Sequence, residues 1–223
     1  MTLQEAVEAR HSVRAYTDRP LSDEVIGVLN NKIAELNDES GLHIQLVCNE
    51  PKAFSGTIAK YGKFRCVQNY IVMAGVKSDT LDEQIGYYGE LLVLTAQTLG
   101  LNTCWVGLSY TKVPGTYILN EGEIIRAYIA IGYGETQGVG HKVKSVSQVS
   151  NASDQTPTWF RRGVESALLA PTAVNQQKFF FEYVDGAVRA HRKMSLIGFT
   201  QIDLGIVKCH FEVGAGTQNF EWA

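Results

Sequence analysis

Apolar residues recur along the chain with two different spacings, which predict helices and strands in mixed order. Spacings near 3.6 residues predict helices over residues 2–10, 25–36, 81–100, 158–169 and 202–211. Short apolar or alternating runs predict strands over residues 42–48, 67–76, 102–108, 126–132 and 179–184. Because the two kinds of element mix without regular βαβ alternation, the pattern favours an α+β fold. Residues 134–153, rich in Gly, Ser and polar side chains, are predicted to be a long connection.

Composition narrows the class of protein. The chain has 223 residues, 45% of them apolar, and a formal net charge of −3. It is long enough to bury a core without disulfides, and it has no basic excess for nucleic-acid binding. No apolar run approaches the roughly 18 residues that a membrane span needs. The acidic, amphipathic N-terminus and four widely spaced cysteines predict a cytoplasmic protein.

Residues 10–14, here called the cationic segment, concentrate chemistry at the end of the first predicted helix. Arg10-His11-Ser12-Val13-Arg14 contains two guanidiniums, an imidazole and a hydroxyl. Guanidiniums donate paired hydrogen bonds that suit phosphate and carbonyl oxygens. A solvated helix end, whose basic groups complement the helix dipole, explains the same residues when they are considered alone.

Three later segments carry groups that suit a flat or phosphorylated ligand. Gly107 allows a backbone to approach a flat ring closely, and Lys142 and Lys144 point to one side of an extended chain. Residues 170–177, here called the amide loop, contain Asn and Gln amides that both donate and accept, as a heterocycle edge requires. Each segment also has an ordinary explanation. Gly107 would mark the end of a strand, Lys142 and Lys144 would be solvated loop residues, and Pro171 would stop a helix.

Two other motifs are better explained by structural roles than by a ligand-binding or metal site. Gly214-Ala215-Gly216 follows a helix rather than a strand, so it lacks the context of a dinucleotide fingerprint. Cys209-His210 lies in a helical pattern without metal-ligand spacing, and no metal site is predicted.

Taken together, these segments resemble the flavin-dependent nitroreductase family. The cationic segment resembles the family's opening R-x-S-x-[RK] box. Residues 99–107 resemble its central helix-to-strand segment. Ile131-Gly132-Tyr133-Gly134, followed by Lys142 and Lys144, resembles the closing G-Y and K-x-[KR] box.

The amide loop resembles the family's A-P-S-x-x-N-x-Q-P-W loop, with departures in composition and order. Thr172, Lys178 and Phe179 stand where the family has Ser, Pro and Trp. In the ordinary family this loop follows the second helix, and an intertwined homodimer lends it to the partner's flavin. Here it appears only after residue 169, which resembles a single-chain branch of the family.

The resemblance implies a nitroreductase-like fold with a central, mostly antiparallel sheet flanked by helices. Residues 1–150 would form the main half, and residues 151–223 would imitate the half that a second subunit contributes. The two halves would make one intertwined structural domain. The helix over residues 158–169 would then be a pseudo-repeat of residues 23–36. We expect a monomer or a weak homodimer.

The resemblance also implies bound FMN and a ping-pong cycle. NAD(P)H would reduce the flavin, and a nitroaromatic, quinone or similar acceptor would reoxidise it. Because the flavin carries the hydride, no side chain is assigned a catalytic role. The implied FMN-binding residues are Arg10, His11, Ser12, Arg14, Val106, Gly107, Lys142, Lys144, Pro171, Thr172, Ala173 and Asn175.

Two other functions stay open at the level of sequence, since a fold does not fix a function. One is a flavin-assisted dehalogenase or ring-cleaving oxygenase on the same scaffold. The other is a flavin-binding or storage module without turnover.

Overall fold

The structure is a computed structural model that describes all 223 residues, Met1–Ala223, and the chain divides into two compact units. Unit 1 contains residues 1–8, 82–91 and 140–223, whereas unit 2 contains residues 9–81 and 92–139. Each unit is therefore assembled from separate stretches of sequence. The origin of residues 151–223 as an imitation of a second subunit stays a prediction.

Helices and strands follow one another irregularly, in agreement with the apolar spacing. The α-helices are α1 (Leu3–Ala9), α2 (Asp23–Ser40), α3 (Thr57–Tyr61), α4 (Leu81–Thr98), α5 (Val146–Val149), α6 (Thr158–Leu168) and α7 (Thr200–Ala215). The strands are β1 (Gln45–Val47), β2 (Asn69–Val76), β3 (Asn102–Val106), β4 (Glu123–Gly132), β5 (Phe179–Val184) and β6 (Ala187–Arg192). This order confirms the predicted α+β class. No helix combines the length and the apolar character that crossing a bilayer requires.

Unit 2 is built on a four-stranded antiparallel sheet in the order β1-β2-β4-β3. Strand β2 pairs with β4 from Asn69 opposite Ile131, and a bulge interrupts the pairing between Met73 and Ala74. All of β2 except its last residue is buried, as its continuous apolar run predicts. The predicted antiparallel character of the central sheet is confirmed.

Stacked tyrosines form much of the core beside this sheet. The Tyr128 ring stacks on Tyr110 with centroids 3.9 Å apart and on Tyr70 with centroids 4.8 Å apart. Burial raises the pKa of Tyr70 to about 12, and its hydroxyl donates to Glu50 Oε2 at 3.2 Å. The ring contacts hold the middle of the sheet, which in turn fixes the neighbouring strand β3.

Unit 1 combines α6, α7, the first half of α4 and the hairpin β5–β6. Helix α6 packs along α7, and α7 also contacts both strands of the hairpin. A Cβ at Gly205 would collide with the Glu83 carbonyl, and a Cβ at Gly86 would collide with the Ile202 carbonyl. These two glycines therefore allow α4 and α7 to approach each other closely within unit 1.

The structure corrects several predicted bounds, since α2 and α7 extend to Ser40 and Ala215 and β4 begins at Glu123. The strand predicted over residues 42–48 is confined to Gln45–Val47, and the strand predicted over residues 102–108 ends at Val106. The predicted connection over residues 134–153 contains the short helix α5, because Ser145 and Gln148 form a capping box that closes its N-terminus.

The apolar spacing predicts neither β6 nor α3. Strand β6 carries several basic residues on its exposed positions, so its apolar alternation is weak. The sequence does carry one signal for this hairpin, which is the Asp185-Gly186 pair. In the structure these two residues adopt φ of 51° and 89° in the tight turn after β5. Helix α3 has only five residues, too few for a helical period to show.

Candidate functional site

The cationic segment lies in unit 2, beside strand β3. Ser12 forms an isolated parallel bridge with Thr103, and the Val13 N–H donates to the Thr103 carbonyl at 3.0 Å. At the end of the segment, the Arg65 N–H donates to the Arg14 carbonyl at 2.9 Å. Backbone hydrogen bonds therefore fix the path of the segment, and its side chains project from an ordered support.

Three side chains of the cationic segment influence the pKa of Cys104 in β3. Burial raises the pKa of the Cys104 thiol, while the charges of Arg14 and Arg10 and a hydrogen bond with Ser12 lower it. Arg10 is only 4% exposed, and its Nη2 lies 3.5 Å from Ser12 Oγ. Arg14, in contrast, is exposed to solvent. The structure thus places Arg10 against Ser12, with the exposed Arg14 two residues further along the same segment.

Val106 and Gly107 lie at the far end of the same strand. Val106 is buried and ends β3, and Gly107 follows it in a partly exposed position. A strand rises about 3.3 Å per residue, so Gly107 lies roughly 13 Å along the chain direction from Thr103. Unit 2 therefore presents cationic side chains near the middle of β3 and an accessible backbone just beyond its end.

His11 is half-buried and is covered by Gly138, at a position that only glycine fits. Gly138 has a φ of 76°, and a Cβ there would lie 2.8 Å from the Cβ of His11. The same Cβ would approach Val13 Cγ2 to 3.2 Å. The Cβ of His11 is therefore packed closely against the chain at residue 138.

Lys142 and Lys144 lie in unit 1, where both are tied to the amide loop. The Lys144 ammonium donates to the carbonyls of Gln176 and Gln177 at 3.0 and 2.7 Å. Burial and the charges of Lys178 and Lys193 lower the pKa of Lys144. The Lys142 carbonyl accepts hydrogen bonds from the loop, while its side chain is exposed. The structure thus brings the two lysines and the loop together.

The amide loop has an unusual backbone conformation, which hydrogen bonds from its own side chains stabilise. Val174, Asn175 and Gln177 have φ of 46°, 57° and 46°, a left-handed region that non-glycine residues rarely adopt. Asn175 Nδ2 donates to the Lys142 carbonyl at 2.8 Å, and Asn175 Oδ1 accepts from Gln177 Nε2 at 2.7 Å. The amide of Asn175, a predicted cofactor ligand, therefore stabilises the loop itself.

The remaining predicted residues of this loop are partly exposed along its first turn. Thr172 Oγ1 accepts from the Gln177 N–H at 3.0 Å, and the Ala173 N–H donates to Asp203 Oδ1 at 2.9 Å. Pro171 precedes them and is also partly exposed. Solvent therefore reaches part of Pro171, Thr172 and Ala173, although hydrogen bonds hold this turn of the loop in place.

Two residues of this region were not predicted from the sequence. Gln177 is buried, and its side-chain oxygen accepts from the Lys144 N–H at 2.9 Å. Asp203 is a buried carboxylate on α7, and the available signal was an acid inside an otherwise apolar helical stripe. No group of three His, Cys, Asp or Glu side chains is arranged to hold a metal ion.

The comparison with protein families identifies the class. Residues 2–215 match the model of a family described as "Putative TM nitroreductase". No curated protein matches the sequence. Because the matched range spans nearly the whole chain, the protein belongs to this nitroreductase family, and the resemblance seen in its motifs is confirmed.

Solved structures show the same fold. A "putative nitroreductase" of Thermotoga maritima superposes with a TM-score of 0.69 at 22% identity, over 96% of this chain and 83% of that chain. A "putative nitroreductase in complex with FMN" from Desulfovibrio desulfuricans gives 0.51 at 20% identity, over 70% and 99% of the two chains. The NfrA1 nitroreductase of Bacillus subtilis gives 0.54 at 13% identity, over 70% and 74%. At such identities the likeness shows the nitroreductase fold.

Proposed function

We propose that this protein is an FMN-dependent oxidoreductase that takes electrons from NAD(P)H and delivers them to nitroaromatic, quinone or similar acceptors. The observation that carries the proposal is the cationic segment held against β3, with Arg10 buried beside Ser12, in a chain of the nitroreductase family. A solvated helix end, the ordinary explanation of these residues, does not account for an arginine that is 4% exposed. The FMN complex of a structural neighbour supports the choice of cofactor.

The donor set fits the chemistry of FMN. Guanidinium, hydroxyl and ammonium groups are the donors that a phosphate and ring carbonyls require. The cationic segment supplies two guanidiniums and a hydroxyl, and Lys142 and Lys144 supply two ammonium groups. The motif order of the family assigns both sets to one flavin.

Each group has a proposed task. Arg10, Ser12, Lys142 and Lys144 would hold the phosphate and the ribityl chain. Arg14 would lie at the pyrimidine edge of the ring system and stabilise negative charge there. The N–H groups around Val106 and Gly107 would face the hydride-accepting nitrogen, and Pro171, Thr172, Ala173 and Asn175 would cover the other side.

The bound flavin would supply the hydride chemistry, and the chain would orient it and adjust its electronics. No side chain is given the task of a general acid, because solvent can supply the protons. The same proposal holds that residues 10–14 and 170–177 of one polypeptide bind the same flavin. It follows from the late position of the amide loop in the sequence.

The absorption spectrum of the purified protein, before and after addition of NADH or NADPH, tests the function. We expect flavin bands near those of FMN that bleach with the reduced nicotinamide and return on addition of menadione. Heat release and chromatography of the cofactor should give FMN, and FAD in the supernatant would contradict its identity. Colour without bleaching would indicate a binding module without turnover. A colourless protein that takes up no added FMN would refute the proposal.

A further inference from the structure

Asp203, on helix α7 of unit 1, is attached to the amide loop by two short hydrogen bonds. The carboxylate is 4% exposed. Its Oδ1 accepts from the Ala173 N–H at 2.9 Å, and its Oδ2 accepts from Gln176 Nε2 at 2.7 Å. The same Gln176 amide also donates to the Gly198 carbonyl at 3.1 Å. One buried carboxylate thus fixes both the middle and the end of the loop.

The loop needs such attachment because its backbone is strained. Val174, Asn175 and Gln177 adopt left-handed conformations, and a β-branched residue such as valine is a particularly rare occupant of that region. Conformations of this kind persist only where the surroundings impose them, and they cluster at ligand-binding sites. Val174 is 76% exposed, so burial of its side chain does not offset the strain.

The carboxylate itself is costly to the fold. Burial raises the pKa of Asp203 from 3.8 to about 6, although the hydrogen bonds from Ala173 and Gln176 lower it in part. Its hydrogen-bond donors are neutral amides rather than a cation. At neutral pH the protein therefore keeps a buried charge whose desolvation opposes folding.

The charges on the surrounding segments have other contacts. Lys144 donates to the carbonyls of the loop, and Lys193 donates to the Gln148 carbonyl. On α4, Glu83 accepts hydrogen bonds from Gln201 and Lys208 of α7. The amide loop has no charged side chain of its own. The role of Asp203 is therefore best sought in the two hydrogen bonds that it accepts.

We propose that Asp203 is a positioning residue, which holds the strained amide loop in its flavin-binding conformation at the expense of the stability of the fold. The inference rests on the proposed function, because it takes the loop to be a flavin ligand. It assigns to Asp203 opposite effects on the two quantities, since the buried carboxylate favours flavin binding and opposes folding.

The variant Asp203→Asn tests this assignment, with Asp154→Asn on an exposed position of unit 1 as the matched control. An amide at position 203 replaces one of the two acceptor oxygens with an NH2 group, so the Ala173 N–H and the Gln176 NH2 group can no longer each donate to an oxygen of their own, while the side-chain shape is kept. We expect the FMN Kd to rise about tenfold, as for the loss of a hydrogen bond to a charged group. We also expect the Tm at pH 8 to stay equal or to rise. The control should change neither quantity.

A second variant and a second readout keep the test decisive. Asp203→Leu removes both attachments and should weaken FMN binding further than Asp203→Asn does. In the flavin-free protein, hydrogen exchange at the Ala173 amide should become faster in both variants. An unchanged FMN Kd in both variants, or a Tm that falls together with FMN affinity, would overturn the proposal. If the wild type binds no FMN, the proposed function fails, and unchanged exchange at Ala173 would then overturn the positioning role as well.

Discussion

His210 and Glu90 form a fully buried pair in unit 1, with His210 Nε2 2.8 Å from Glu90 Oε1 and neither side chain exposed. The Ser166 carbonyl can only accept, so His210 Nδ1 carries a hydrogen and donates to it at 3.1 Å. The imidazole therefore connects α7 to both α6 and α4. His210 thus contributes to the packing of three helices.

Replacing one member of this pair should destabilise the fold strongly. His210→Leu leaves a buried carboxyl without its imidazole, and loss of one partner of a buried pair costs about 3–5 kcal/mol. Urea unfolding of His210→Leu and of the double variant Glu90→Leu/His210→Leu measures the effect. We expect the double variant to recover much of the loss. A single-variant loss below about 1 kcal/mol would show that the pair is dispensable.

Arg14→Ala tests the cationic segment. Arg14 is exposed, so we expect the free energy of unfolding to change little. FMN binding should weaken by about 1.5–3 kcal/mol, the range for a hydrogen bond to a charged group. The reduction potential of the bound flavin should become more negative. Titration and potentiometry give both values, with the exposed Arg189→Ala as control. Wild-type affinity and potential in Arg14→Ala would remove this residue from the flavin edge.

The pKa of Asp203 predicts the sign of one pH effect on stability. The folded pKa of about 6 exceeds the usual 3.8, so the folded state binds a proton more readily than the unfolded state does. Stability from this group is therefore fully present below pH 3.8 and is lost as the pH rises through 6. Relative to Asp203→Asn, the wild type should gain up to about 3 kcal/mol between pH 7 and pH 4. A difference that is independent of pH would contradict the assignment.

Gly138→Ala should disturb the cationic segment through His11. A Cβ at residue 138 would approach the His11 Cβ to 2.8 Å, and the φ of 76° is unfavourable for alanine. Gly115→Ala is the matched control, because Gly115 has a φ of 88° and nothing within 4 Å of the added Cβ. Both variants should lose about 1 kcal/mol from backbone strain. Only Gly138→Ala should also weaken FMN binding, and equal affinities would exclude a contribution of this packing to the site.

A mixing experiment tests whether one polypeptide supplies both sets of flavin ligands. Arg14→Ala and Asn175→Ala are prepared separately, then unfolded and refolded together. We expect no recovery of FMN binding, since each chain carries its own defect. Exchange between subunits of an ordinary dimer would restore about a quarter of the wild-type sites by random pairing. The size of the wild-type protein, measured in parallel, identifies a swapped dimer that could mimic such recovery.

The long elements of the fold could be predicted because their periods extend over many residues. Helix α4 and strand β2 show their spacing clearly, and their predicted bounds agree with the structure to within two residues. Helix α3 is too short to show a period, and β6 alternates too weakly because basic residues replace apolar ones. In β6 the Asp185-Gly186 turn was the stronger signal.

The candidate site was predictable where its chemistry is local in sequence. Two arginines and a serine within five residues identify the cationic segment without any knowledge of the fold. Asp203 was not predictable in this way, because its partners Ala173 and Gln176 lie about thirty residues away and are brought to it by folding. The hydrogen bond from the Asn175 amide to the Lys142 carbonyl was not predictable either, because these two residues are 33 positions apart in the sequence.

The division of helix α4 has a consequence for the order in which the protein is made. Residues 82–91 of this helix belong to unit 1, which also draws on residues 1–8 and 140–223, whereas unit 2 ends at residue 139. During synthesis, every residue of unit 2 leaves the ribosome before the bulk of unit 1 exists. The N-terminal segment and the first half of α4 must then wait for the last third of the chain before unit 1 is complete. The interval before that last third emerges is therefore when this nascent chain is most in need of protection from aggregation.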